Sequence, residues 1–312
     1  MTYEEAQAEL SQMLKEAEAG PYVSAREAFE RLHAKLDPKN FIFITGDPHA
    51  QFGYIRKEAD RQKFTSDTTC IILGDVGVNY YGDERDLQTK KDLSSIPGTF
   101  FCLHGNHENR PQNIKSYHEI EYRGGKCLVE DAFPNLIFPI DGEVFDFHGH
   151  SVLVIGGAYS VDKFYRLRNG WNWFEDEQPS AEIKRRVERV LEARNWKVDI
   201  VLSHTCPLKY EPVEVFISGI DQSKVDKSTE LWLDSIEDKL TYERWYCGHY
   251  HTDKKIDKLE FLFHGFTLLP KEHLNIQEEA DWAHSLEAKW AHEAEIMETL
   301  ERGSDTAATE CK

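Results

Sequence analysis

The stretch Thr99-Phe100-Phe101-Cys102-Leu103-His104-Gly105-Asn106-His107-Glu108 decides how this chain is read. It opens with a short, apolar, aromatic-rich run, too short for an ordinary helix. Such a run suits a strand buried on both faces, in a sheet covered by helices. It then breaks at once into a polar loop carrying Gly, Asn, His and Glu. The same arrangement recurs along the chain. Phe41-Ile42-Phe43-Ile44 leads into Gly46-Asp47-Pro48-His49, and Cys70-Ile71-Ile72-Leu73 leads into Gly74-Asp75. Asp199-Ile200-Val201-Leu202 leads into Ser203-His204, and Arg244-Trp245-Tyr246-Cys247 into Gly248-His249-Tyr250-His251.

Ser151–Ile155 is a further apolar run, and Phe145–Phe147 and Phe261–Phe263 read as shorter strands. Helical stretches at Asp86–Ser95, Ser180–Asn195 and Lys227–Leu240 fall between them. Alternating strands and helices predict one α/β domain over residues 39–268. Residues 1–38 read as a helical extension, with helices near Tyr3–Ala19 and Ser24–Leu36; Ser24 and Glu27 form a capping box for the second. Residues 269–312 read as a helical tail in which Trp282, Leu286 and Trp290 recur every fourth residue. That stripe suits packing on the chain's own domain, or a homo-oligomer or partner helix.

The chain has 37 basic against 56 acidic residues, a formal charge of -19. That balance disfavours an extended nucleic-acid surface or an anionic membrane as partner, because both need a basic face. It leaves a phosphate substrate open, since metal ions reverse the local sign of a site. No run approaches the roughly 18 apolar residues of a membrane span. The six cysteines are scattered without a CxxC pair, several of them inside apolar runs. A cytosolic protein with buried thiols is the expectation.

Ligands of open α/β sheets bind beyond the carboxyl ends of the strands. Five strands here deliver Asp47, His49, Asp75, Asn106, His107, His204, His249 and His251 to such ends. Any one of these loops alone is an ordinary turn; the ordered set is not. Oxygen and imidazole donors suit Mn, Fe or Zn, whereas a thiolate set would point to structural zinc.

The order D-x-H, G-D, G-N-H-[ED], a single His and G-H-x-H resembles the calcineurin-like metallophosphoesterase superfamily, from about residue 41 to 265. The resemblance implies a four-layer αββα sandwich: two mixed sheets flanked by helices, with a dinuclear metal centre at one edge. By position, Asp47, His49 and His251 would hold one divalent ion and Asn106, His204 and His249 the other, with Asp75 bridging. Manganese is expected first, with Fe, Zn or Ni as alternatives. The implied activity is hydrolysis of a phosphate ester by in-line attack of a metal-bridging water, with His107 protonating the leaving oxygen.

The chain departs from the protein Ser/Thr phosphatase branch of that superfamily. Where the branch reads G-D-x-V-D-R-G, this chain has Gly74-Asp75-Val76-Gly77-Val78-Asn79-Tyr80. The aspartate that orients the catalytic histidine thus falls at Val78, and the phosphate-binding arginine at Asn79. Glu108 and Asn79 become the candidates to orient His107. Ala50 stands where a glycine usually follows the first histidine. Substrate contacts are sought in residues 156–174, with Tyr159, Lys163, Arg166 and Arg168 foremost and Lys209 and Tyr210 behind them. The expected enzyme is a phosphomonoesterase acting on a phosphorylated small molecule, nucleotide or phosphoprotein. The alternatives are a phosphodiesterase on nucleotides or nucleic-acid ends, and a non-catalytic metal-binding scaffold.

Overall fold

The computed structural model describes residues 41–270. The N-terminal helices and the C-terminal tail helix expected from the sequence lie outside the described residues. The described chain forms two mixed sheets. The first runs in the order β13 (Thr267–Leu268), β1 (Ile42–Thr45), β2 (Thr69–Ile72), β3 (Thr99–Cys102), β6 (Leu136–Pro139), β5 (Gly125–Glu130), β4 (Tyr117–Tyr122). The second runs β11 (Lys254–Ile256), β12 (Leu259–Phe261), β10 (Arg244–Cys247), β9 (Ile200–Ser203), β8 (His150–Ile155), β7 (Val144–Phe147).

Register explains why the decisive strands are apolar on both faces. Ile44, Ile71 and Phe101 lie side by side on β1, β2 and β3, as do Val154, Leu202 and Tyr246 on β8, β9 and β10. Both rows belong to one buried cluster that fills the space between the sheets. One residue earlier the side chains point outward. Phe43, Cys70 and Phe100 pack with Ile55 and Ala59 of α1 (Gly53–Gln62) and Leu93 of α2 (Glu84–Ser94). Leu153, Val201 and Trp245 pack with Val187 and Leu191 of α4 (Ala181–Ala193) and Leu233 and Ile236 of α5 (Ser228–Glu237). The result is helix, sheet, sheet, helix, as expected. Two of the helices start on side-chain caps: Asp83 accepts from the Arg85 amide, and Ser180 from the Ile183 amide.

The runs read as strands are found within a residue or two of their expected bounds. Missed were β11 and β13, the helices α1 and α3 (Lys163–Arg168), and the β4–β5–β6 meander. β4 has no fully buried position, so it lacks the continuous apolar signature. Its hairpin turns through Arg123 and Gly124, both at positive φ (48° and 81°), as two-residue hairpin loops require. Strands β1, β2 and β3 are mutually parallel, as are β8, β9 and β10, so each set sends its carboxyl ends to one edge. Among the described residues no helix is long and apolar enough to cross a membrane.

Candidate metal centre

The loops that leave β1, β2, β3, β9 and β10 are hydrogen-bonded to one another. The His49 and Ala50 amides donate to the carbonyls of Asp75 and Val76, both at 2.9 Å. The His107 amide donates to Asp75 Oδ1 (2.7 Å), and the His249 amide to Asp47 Oδ2 (2.8 Å). The Gly248 amide closes the ring on the His204 carbonyl (2.9 Å). Within it His49, Asp75, His249 and His251 sit at φ of 44°, 47°, 67° and 49°. Ala50, where the related branch has glycine, sits at 63°. Side-chain-bearing residues in this region cost of order 1 kcal/mol or more each, and such strain collects at functional sites. Glycine is required where the loops touch: a Cβ at Gly105 would lie 2.1 Å from Asp75 Oδ1.

The side chains converge in two linked groups. Asn106 Nδ2 donates to Ser160 Oγ (2.9 Å), which turns Oδ1 toward His204 Nε2 (2.8 Å) and His249 Nδ1 (3.0 Å). His204 Nδ1 lies 2.8 Å from the Leu73 carbonyl, so it carries the proton and donates there. His204 Nε2 therefore presents a lone pair to Asn106 Oδ1, itself an acceptor, and to Asp75 Oδ1 at 3.7 Å. On the other side of Asp75, His49 Nε2 lies 3.7 Å from Oδ2 and 2.9 Å from His251 Nε2. Asp47 is fully buried; its Oδ1 has no hydrogen-bond partner and lies 3.4 Å from His204 Nδ1. Two sets of candidate ligand atoms each fall within 4.8 Å: Asp47, Asp75 and His204, and His49, Asp75 and His107. Asp75 is common to both.

This donor set fits divalent cations. Burial, and then the Asp75 carboxylate, push the Asp47 carboxyl well above the usual range. Burial also holds His204 and His249 below the ordinary imidazole value and takes His251 down to about 4. Neutral imidazoles and facing acceptor atoms around two buried carboxylates are what a cation satisfies.

His107 stands at the rim, its side chain 28% exposed. Neither residue expected to orient it does so. Glu108 accepts from the Gly77 and Gly105 amides (3.3 and 3.0 Å), and burial, then Asp75, push its carboxyl up to about 8. Asn79 donates to the Tyr117 hydroxyl (3.0 Å), while Val78 is buried under α1 and α2. The group that faces His107 is Asp162, whose Oδ1 lies 3.8 Å from His107 Nε2 and has no hydrogen-bond partner. Its Oδ2 accepts from Arg166 Nε (2.9 Å).

The expected substrate contacts divide. Tyr159 lines a cleft of about 300 Å³ that opens from Asp75, Asn106 and His107. Arg166 is buried and committed to Asp162 and the Asn172 carbonyl. Lys163 Nζ lies 3.8 Å over the Trp173 ring, Arg168 is exposed, and neither lines the cleft. Lys209 pairs with Glu237 and Asp238, and Tyr210 donates to Glu237. Cys206 and Cys247 are free and buried. Sequence reasoning missed Ser160, Asp162 and the cleft wall at residues 211–226. Ser160 and Asp162 lie in the segment it had marked, but its cations drew the attention.

Glu230 also lines the cleft; its Oε1 accepts from Thr205 Oγ1 (2.8 Å) and its Oε2 is buried without a hydrogen-bond partner. Burial raises its carboxyl to about 7. A carboxyl raised on folding leaves stability intact below its unfolded pKa and costs stability as pH rises through the folded one. Glu230→Gln should therefore gain on the wild type by about 2 kcal/mol between pH 5 and pH 8, read by urea unfolding. A gap that does not grow with pH would refute the assignment.

Comparison with curated proteins gives no match. Among solved structures, TT1561 of Thermus thermophilus is similar at 11% identity and TM-score 0.41, covering 75% of this chain and 99% of that one. AQ665, a protein of unknown function from Aquifex aeolicus, is similar at 12% identity and TM-score 0.23, covering 55% and 81%. Likenesses at that level add no weight. The family model for calcineurin-like phosphoesterases, however, matches residues 42–264, which include all eight residues gathered at the strand ends. The chain belongs to the calcineurin-like phosphoesterase family.

Proposed function

We propose that the chain is a metal-dependent phosphomonoesterase, with Asp47, His49 and His251 at one ion, Asn106, His204 and His249 at the other, and Asp75 between them. The observation that carries this reading is the lone-pair convergence of His204 Nε2 and Asn106 Oδ1 beside Asp75, next to a half-buried histidine that lines the same cleft. Two divalent ions, manganese first, would supply positive charge for the phosphoryl oxygens and lower the pKa of the attacking water. The chain's own residues do the rest. Ser160 holds the Asn106 amide, the Leu73 carbonyl fixes the His204 tautomer, and the His107 amide fixes Asp75. His107 gives its proton to the leaving oxygen. Five buried free cysteines among the described residues support a reducing compartment, and we place the enzyme in the cytosol.

One observation favours a phosphodiesterase instead. Asn79, where the protein phosphatase branch has its phosphate-binding arginine, is tied to Tyr117, so no guanidinium reaches a monoester dianion from there. Rates on an aryl phosphate and on its bis-ester decide between the two. Turnover of the monoester at least about tenfold faster supports the first reading, and turnover of the bis-ester alone overturns it.

In the same reading Asp162 orients the His107 ring and stabilises its charged form. Asp162→Asn should lower kcat by about 10–100-fold with KM nearly unchanged. Because Asp162 also anchors Arg166, Asp162→Glu provides the control, and partial rescue of kcat is expected. A rise in KM alone would assign Asp162 to packing.

A further inference from the structure

The cleft above the centre is built from two unlike ends. At its floor are Asp75, Asn106 and His107; its far wall is Val215, Phe216, Ile217, Ile220 and Val225. We propose that this wall is the binding site for the alcohol half of the ester, and that it selects an apolar, uncharged group. The inference rests on the phosphoesterase reading for the position of the phosphate.

Three observations carry it. First, the wall is continuous with the site rather than beside it. The Phe216 ring stacks on Tyr250 with centroids 6.0 Å apart and planes 15° apart, and Tyr250 lies between His249 and His251. An alcohol group leaving the floor past His107 therefore meets this wall. Second, apolar side chains are left in water there: Ile217 is 65% exposed and Val215 41%. Contiguous exposed apolar surface at a cleft marks binding, because covering it releases ordered water. Third, among the described residues no lysine or arginine lines the cleft, whereas Asp162, Glu211, Asp226 and Glu230 do.

Among the described residues those acids form no candidate cation site of their own. Asp162 is paired with Arg166, and Glu211 with Lys227 Nζ (2.6 Å), whose ammonium lies 5.0 Å from the Phe216 ring. Asp226 accepts from the Ser228 amide and from Gln178. A second phosphate or an acidic peptide flank would enter a cleft offering carboxylates and no free cation, at a cost in like-charge contact. An alkyl or aryl group seated on Val215, Phe216, Ile217, Ile220 and Val225 gains from covering them and brings no charge toward the carboxylates.

A homologous series tests this without changing leaving-group reactivity. From ethyl to hexyl phosphate, kcat/KM of the manganese-loaded full chain should climb about two- to fourfold per methylene, the factor expected for a methylene leaving water. Ile217→Lys should flatten the series to below about 1.5-fold per methylene. Leu231→Lys, a change at an exposed apolar residue on α5 outside the cleft, should keep the wild-type slope. A flat wild-type series, or a slope that Ile217→Lys leaves intact, overturns the proposal. Calorimetric titration with ethylphosphonate and hexylphosphonate reads the same wall without turnover, the longer chain binding at least about tenfold tighter. If no ester is hydrolysed but hexylphosphonate still binds tighter, the phosphoesterase reading fails and the apolar site stands. If esters are hydrolysed without regard to chain length, the reverse holds.

Discussion

Replacing His107 with alanine is expected to lower kcat by about 10²–10⁴ on esters of unactivated alcohols, while the metal content of the protein stays unchanged. The loss follows from what the side chain faces. It stands at the rim with Asp162 3.8 Å from Nε2; burial pulls its pKa below the ordinary imidazole value, and the Asp75 and Asp162 carboxylates oppose that and favour the protonated ring a general acid needs. A leaving group with an acidic conjugate alcohol needs that proton less, and the deficit should shrink on a nitrophenyl ester. The geometry also allows a competing role, because a His107 ring nitrogen falls within 4.8 Å of ligand atoms on His49 and Asp75. The two roles separate cleanly. A general acid costs turnover in proportion to leaving-group pKa and spares the metals. A ligand costs one ion and all substrates alike. Metal analysis of the dialysed variant beside a leaving-group series tells them apart, and loss of an ion would remove His107 from the acid's role.

The strands that carry the centre were legible because each lies between layers. Phe43, Phe100 and Trp245 face helices while Ile44, Phe101 and Tyr246 face the opposite sheet, so both faces are apolar and the run is unbroken. β4 sits at the edge of its sheet with no buried position, and a mostly polar run of six residues does not stand out from loop. The eight strand-end residues were legible for a related reason: parallel strands send every carboxyl end to one edge, so order along the chain becomes proximity in space. Asp162 was not. It precedes a short helix and meets His107 where the Gly157 amide reaches the His104 carbonyl (2.8 Å) and Asn106 Nδ2 reaches Ser160 Oγ (2.9 Å), joining two loops distant in sequence. The cleft wall was hidden because residues 211–226 form no long element, only short 3-10 turns. Their apolar side chains carry no period.

Asp75→Asn should cost far more in the metal-loaded protein than in the metal-free one. Asp75 and Asp47 are both buried, and Asp75 is the foremost charge pushing the Asp47 carboxyl upward. An asparagine keeps the shape and an oxygen that accepts from the His107 amide, but removes one of two repelling charges. Stripped of metal, the variant should be less stable than the wild type by about 1 kcal/mol, because, against burial, His107, His204, His49 and the His107 amide hold the Asp75 carboxylate below its usual range, a loss offset in part by relief of Asp47. With metal the cost grows. Asp75 belongs to both candidate ligand groups, so losing its charge weakens both ions at once. Bound metal should fall from about two ions per chain to one or fewer after dialysis, and turnover by at least about 10³-fold. The stabilisation that added manganese confers should shrink accordingly, because a ligand stabilises only as far as it prefers the folded state. Thermal unfolding with chelator and with manganese, on both proteins, reads all of this in four curves. A gap between wild type and variant that widens on adding manganese is the expected result. If the variant instead binds two ions and gains as much from them as the wild type does, Asp75 does not bridge. A gap of the same size in chelator and in manganese would show that the Asp75 carboxylate holds the loops together chiefly through its hydrogen bond to the His107 amide, with the metals secondary to that scaffold.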